Sequence, residues 1–349
     1  MVNGPISPKK LAEHLGLGHF IPQATRERIK AAAKKFIDLP SFLAGSPRNR
    51  GTLAVGIMVP ELRDGYHTQV MSGIGDQLTE AGYFYFIAHH RHRKDLIERH
   101  SRLLLSRGSE ALIAIDTTLE HPFPVPVAAV AGHRPIRGVT NVVLNHRLAA
   151  EHALRHLHSL GHRRIVFMRG QPFSSDSEDR WHSIAQVARE MSIPIEPKLV
   201  VQLERDINSP ELGYPEMRGL LATRTWFTAV VAFNDMSAIG AIRALQDFGL
   251  SVPHDVSVIG FDDINAAAFN NPRLTTIRQP LAQMGKIAAQ CVLNQLHARE
   301  TFREQITIEP GLIVRESTHT ARSWERSESR KPPRTARKAN VIGIDAGRA

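Results

Sequence analysis

Three polar side chains stand where a strand-and-helix chain exposes its binding edge. Asp262 follows the apolar run Val256–Phe261, Asn234 follows Ala229–Phe233, and Arg180 opens the helical stretch after Ile165–Met168. Sheets with helices on both faces bind ligands beyond the carboxyl ends of their strands. A carboxylate, an amide and a guanidinium there offer acceptors and donors suited to the hydroxyls of a sugar-like molecule. Asn234 and Asp262 also start turns, so each could instead serve as a local cap.

Other chemistry is poorly represented. Ser174-Ser175-Asp176-Ser177 has no base nearby in sequence, and none of the 18 histidines joins a Ser–His–Asp arrangement. His89-His90-Arg91-His92 lacks tetrahedral metal spacing, and Arg91 repels cations, so a solvated strand end is expected. Gly73-Ile74-Gly75 opens no phosphate-binding loop, because Leu78 stands where a third glycine belongs, and it lies in a helical stretch. Cys291, Met236 and Met284 read as packing residues. No enzyme, metal or cofactor is expected.

The elements that position the three side chains repeat. Apolar runs at 53–59, 83–88, 111–115, 125–130, 139–144, 165–168, 199–202, 229–233 and 256–261 alternate with helical stretches near 66–82, 93–107, 146–160, 178–191, 209–223 and 235–249. Such alternation predicts parallel sheets covered by helices. Over some 260 residues it is too long for one sheet, so two doubly wound lobes are expected.

Charge divides the chain differently. Its net +10 over 349 residues is concentrated at the ends: residues 1–50 carry nine Lys/Arg against three Asp/Glu, and residues 318–349 carry eight against three. Basic ends on a neutral body suit a polyanion. Residues 7–36 read as short helices, 37–51 as a linker, and 318–349 as a basic disordered tail. One cysteine, no run of 18 apolar residues and no leader-like start predict a cytoplasmic protein without a membrane partner.

Four blocks carry a family resemblance: Leu160-Gly161-His162-Arg163-Arg164-Ile165; Phe233-Asn234-Asp235-Met236-Ser237-Ala238-Ile239-Gly240; the stretch from Gly249-Leu250-Ser251-Val252-Pro253 through Gly260-Phe261-Asp262-Asp263; and Pro272-Arg273-Leu274-Thr275-Thr276-Ile277-Arg278-Gln279-Pro280 with Met284-Gly285. In this order and spacing the chain resembles the LacI/GalR repressors over residues 52–317. The resemblance implies an all-α headpiece and hinge over 1–50, then a core similar to periplasmic sugar-binding proteins over 51–317. Lobe 1 would comprise about 51–144 and 281–305, and lobe 2 about 145–280 and 306–317. It also implies a homodimer, and effector contacts from Arg180, Asn234, Asp262, Tyr66 and His67. Asn145 stands where the family usually has Asp, and Ser183 where Gly is common.

The headpiece departs from the family. Leu11 to Leu17 resembles its first helix and Ile21 to Phe36 its third, but only Gly18-His19-Phe20 lie between. The family's reading helix belongs in that gap, and three residues do not complete one helical turn. In the hinge, Pro47 replaces the leucine that wedges between base steps, and proline breaks helix interiors. Lys9, Lys10, Arg26, Arg28, Lys30 and Arg48 remain to hold phosphates. The resemblance therefore implies a DNA-binding, ligand-responsive regulator of repressor type, with weak, salt-sensitive DNA contact. The alternative is a cytoplasmic small-ligand-binding module that has lost sequence-specific DNA binding.

Overall fold

In the computed structural model, residues 51–322 are described, apart from Asp64, His133, Asn208 and residues 299–301. The expected headpiece and hinge, with Lys9, Lys10, Arg26, Arg28, Arg48 and Pro47, lie outside the described residues, as does the tail beyond residue 322.

The first sheet begins with β1 (Ala54–Val59), buried at every position. A strand covered on both faces reads as a continuous apolar run. Next come α1 (Gly65–Glu80), β2 (Phe84–His89), α2 (Lys94–Ser106), β3 (Ala111–Ile115), β4 (Val127–Val130) and β5 (Val139–Leu144). The chain then builds a second sheet: α3 (His146–Ser159), β6 (Ile165–Arg169), α4 (Ser177–Glu190), β7 (Val200–Gln202), α5 (Tyr214–Ala222), β8 (Ala229–Val231), α6 (Asp235–Asp247), β9 (Ser257–Asp262), α7 (Asn265–Phe269) and β10 (Thr275–Arg278). It returns for α8 (Leu281–Leu296) and β11 (Gln305–Ile308), and ends in β12 (Gly311–Ile313).

The strand orders are β11-β5-β4-β3-β1-β2 and β12-β10-β9-β8-β6-β7. Every pairing is parallel except β10 with β12. The fold is α/β, with two doubly wound sheets. Each has a buried apolar layer on both faces, such as Val55, Ile57 and Val130 against α1 and α8 in the first, with Met58, Leu104 and Leu112 on its other side.

Glycine sets one helix contact. A Cβ on Gly73 of α1 would lie 1.9 Å from the carbonyl oxygen of Ala282 in α8, and one on Gly285 would lie 2.1 Å from that of Val70. The Gly-Ile-Gly stretch thus lets two helices touch backbone to backbone.

The chain crosses between lobes three times: at Asn145, at Gln279-Pro280 and at Glu309-Pro310. The last crossing falls beyond the expected boundary at 305/306. β11 completes the first sheet by pairing with β5, from Gln305↔Asn141 to Ile308↔Leu144, before the chain turns back. The ordered core also runs past residue 317. His319 N donates to Ser257 Oγ, Ala321 N to the Leu160 carbonyl, and Arg322 pairs with Asp255. Residues 318–322 are a packed edge of the second lobe, because these groups find partners there.

Candidate functional site

The carboxyl ends of both sheets face one cleft. From the first lobe it receives Tyr66 and His67 on the opening turn of α1, His92 ahead of α2, and Asp116 just after β3. From the second come Phe173 and Asp176 of the β6–α4 loop, Arg180 of α4, Phe233 and Asn234 after β8, and Asp262 at the end of β9. They enclose a cavity of about 60 Å3. All five residues expected from the sequence, Arg180, Asn234, Asp262, Tyr66 and His67, line this one cavity.

Arg180 is its cationic wall. The guanidinium carbon lies 3.7 Å from the centre of the Phe261 ring and 4.5 Å from that of Phe233. Nη1 donates to the Phe233 carbonyl, and Nη2 donates to Asp176 at 2.9 Å. A planar delocalised cation suits this slot; an ammonium would not stack. Asp176 is held further by His146, 3.3 Å away and also buried.

Asp262 is the acidic wall. Its φ of +110° is a conformation that L side chains rarely adopt. The second lobe holds it there through Gln279, whose Nε2 donates to Oδ1 at 2.6 Å. Burial pushes the Asp262 carboxyl well above the usual range, with Arg180 opposing. Behind it, Asp235 accepts from Thr276 Oγ1 at 2.6 Å and from Ile264 N at 2.9 Å. Burial raises the Asp235 carboxyl to about 7.

Asn234 fills both roles that the sequence left open. It lines the cavity and also caps α6, its Oδ1 accepting from Ser237 N at 2.8 Å, with Ser237 Oγ answering the Asn234 N–H. Tyr66 stands edge-on to His67, with ring centres 5.1 Å apart. Its phenol oxygen is buried and finds no hydrogen-bond partner. Burial raises the Tyr66 pKa, with Asp176 and Asp116 adding to the effect.

Asp116 was not anticipated, although the strand-end rule that selects Asp262 also selects it. It follows the apolar run Ala111–Ile115 just as Asp262 follows Val256–Phe261. Burial pushes its carboxyl up, but His67, whose Nε2 lies 3.8 Å away, together with His92 and the Ser175 hydrogen bond, outweighs burial and holds it below the usual range. Phe173, Phe233 and Phe261 were also missed as site residues, since aromatic walls have no spacing signature, and so was Asp176, which lies in a loop with no apolar run directly before it. The histidine run differs from a solvated strand end. His90 is buried against Thr117 Oγ1 at 2.8 Å, and His92 packs at a tilt against Phe173 of the other lobe, 4.7 Å between ring centres. Burial lowers the His90 pKa to about 3, so it is a neutral structural group. Asn145 lies at a crossing, capping α3 through Leu148 N and reaching Glu309 at 3.3 Å. Among the described residues, the one cluster with metal-ligand spacing is Glu98, Glu120 and His121, all exposed.

Known proteins are similar to this chain in sequence and fold. Residues 154–318 match the model of the periplasmic binding protein-like domain. The HTH-type transcriptional repressor PurR of Haemophilus influenzae is 27% identical over 323 residues, covering 89% of this chain and 95% of the relative. The PurR of Pasteurella multocida is 25% identical over 320 residues, with the same shares. The fold is similar to that of the Lac repressor dimer bound to operator and the anti-inducer ONPF, at a TM-score of 0.74 and 21% identity, covering 90% of this chain and 100% of that one. It is also similar to the CelR–cellobiose complex, at a TM-score of 0.68 and 24% identity over 88% and 94% of the two chains. Aligned with its relatives along nearly their whole length, the chain is similar to transcriptional repressors of the LacI/GalR type.

Proposed function

We propose that this protein is a ligand-responsive transcriptional regulator of repressor type, sensing a small sugar-like effector between its lobes. One observation carries the reading. Tyr66 Oη, Arg180 Nε and Gln279 Oε1 are buried without partners around the carboxylate of Asp262. Buried polar atoms left unsatisfied cost about 1–3 kcal/mol each, and a hydroxylated ligand would recover that cost. Proteins of this fold solved with D-xylulofuranose, with cellobiose and with ribose support a sugar as the ligand class. Closing the lobes on such a ligand would favour one of two conformations and so alter DNA affinity. The relatives are transcriptional regulators, and we infer no catalytic activity. A homodimer on DNA fits the Lac repressor dimer. No helix among the described residues is long and apolar enough to cross a membrane, and we place the protein in the cytoplasm.

The three-residue interval Gly18–Phe20 favours a second reading, a ligand-binding module without sequence-specific DNA recognition. Selection from a random pool of duplex DNA, at low and at physiological salt, separates the two. Enrichment of a palindromic site at physiological salt supports the regulator. Binding that disappears with salt and enriches no sequence supports the module, because phosphate contacts alone are strongly salt-dependent.

A further inference from the structure

His92 stands where the two lobes meet. It lines the small cavity and also a larger neighbour of about 420 Å3. The residue belongs to the first lobe, in the loop from β2 to α2, yet two of its partners lie on the second. Its ring centre is 4.7 Å from that of Phe173, and its Nε2 is 4.0 Å from Oδ1 of Asp206, in the loop after β7.

A strained turn aims the side chain. Arg91 and His92 have φ of +51° and +53°, a conformation uncommon outside glycine. His90 holds that turn: its Nδ1 accepts from His92 N at 3.2 Å, and its Nε2 donates to Thr117 Oγ1, which donates in turn to the Ile115 carbonyl. A ring that donates through one nitrogen and accepts through the other is neutral, as burial requires of His90. His92 meets an acidic field instead. Glu61 and Asp116 of the first lobe, and Asp176, Glu178, Asp179, Asp206 and Asp262 of the second, line the same two cavities. The basic groups there are Lys94, held by Glu120; Arg180, held by Asp176; His67, beside Asp116; and Arg134. In sequence, Arg91 and Arg93 flank His92, with Arg93 held by Asp95, and Arg205 adjoins Asp206.

We propose that His92 is a proton-operated clasp between the lobes: charged, it pairs with Asp206 and holds the cleft shut, and neutral, it lets the cleft open. Histidine is the side chain that ordinarily changes charge between pH 5 and 8. The charged ring reaches Asp206 only when the lobes are together, so proton binding and closing favour each other. The closed fraction therefore falls as pH rises through that range. This goes beyond the effector reading, because it needs no ligand: protons bias the same closing motion that a ligand would. Two other carboxyls are separable from it. Asp116 is held low and stays ionised across the range. Asp235, raised to about 7, titrates within it but bonds Thr276 and Ile264 inside the second lobe, so it serves as a control.

Hydrogen exchange of the ligand-free full chain tests it, read at the amides of the 171–177 loop and corrected for the pH dependence of exchange in unstructured peptides. Protection should be about threefold greater at pH 6 than at pH 8, the size of effect that one partly exposed ion pair gives. His92→Gln and Asp206→Asn should each abolish the difference, whereas Asp235→Asn should keep it. Equal protection at the two pH values in the unaltered chain overturns the clasp. So does a difference that survives His92→Gln or Asp206→Asn, or one that disappears in Asp235→Asn. Should His92→Gln not fold, Asp206→Asn, altered at an exposed side chain, decides. Because no ligand is present, either result leaves the effector reading standing.

Discussion

Asp116 of the first lobe accepts two hydrogen bonds on one carboxylate oxygen from Ser175 of the second, 3.0 Å from the amide nitrogen and 2.7 Å from Oγ. His67 steadies the same carboxylate from its own lobe. The lobes are therefore latched by groups of the chain itself.

Removing the hydroxyl tests the latch most gently. Ser175→Ala keeps the amide bond and loses the Oγ bond, a change of about 1 kcal/mol. The closed form should open about five times more often. Hydrogen exchange at the amides of the 171–177 loop should rise by that factor. Asp116→Ala removes both bonds and should raise exchange further. Unchanged exchange in both variants would mean that the latch contributes nothing to closure.

Acidity acts on the two buried carboxylates in opposite directions. The Asp116 carboxyl is lowered in the fold, so its stabilisation is present above the unfolded pKa and is lost as pH falls through the folded value. Asp235, raised to about 7, has the reverse sign. Its contribution is present below the unfolded value near 3.8 and is lost as pH rises through about 7. The melting temperature should therefore decline as pH rises from about 4 to about 7, and Asp235→Asn should flatten that decline. A decline just as steep in the variant would remove Asp235 as its source.

Arg180 should be more costly to replace than a surface arginine. Arg180→Met leaves Asp176 and the Phe233 carbonyl buried with a partner missing, and breaking such a pair costs about 3–5 kcal/mol. Urea midpoints would show this directly. Arg180→Lys retains the charge but loses the stack between Phe233 and Phe261. It should unfold less readily than Arg180→Met and still lose ligand affinity.

A pair of glycine variants separates helix propensity from packing. Gly219→Ala, in α5 with nothing within 4 Å of the new methyl, should stabilise by about 0.4–1 kcal/mol. Gly73→Ala drives its methyl into the Ala282 carbonyl and should destabilise by about 1–3 kcal/mol. Thermal melts of the two variants should move in opposite directions.

The strand-and-helix order was legible because the central strands are buried on both faces, and apolar runs such as Ala54–Val59 have no other use. Asp262 was legible for a related reason, as a charge placed directly after such a run. β11 and β12 were not, because Gln305–Ile308 and Gly311–Ile313 are short and only partly buried. Asp116 was overlooked where the same logic applied. The aromatic slot around Arg180 depends on three elements meeting in space, and its register is invisible in one dimension. The packing of 318–322 is equally hidden, since His319 and Arg322 read as tail residues until Ser257 and Asp255 are placed beside them.

The three crossings bear on what kind of motion this cleft permits. Asn145 N donates to the Ile308 carbonyl, and the Asn145 side chain reaches Glu309, so the first and third crossings are tied to each other as well as to both lobes. Two bodies joined by one strap can swivel, twist and slide; joined by three linked straps, they retain one easy rotation, about the line through the straps. A small angular change there becomes a larger displacement at the rim. Because the open form is confined to that single path, closing it forfeits little configurational freedom. More of the energy of a bound molecule is then left to be felt as a mechanical signal elsewhere in the chain.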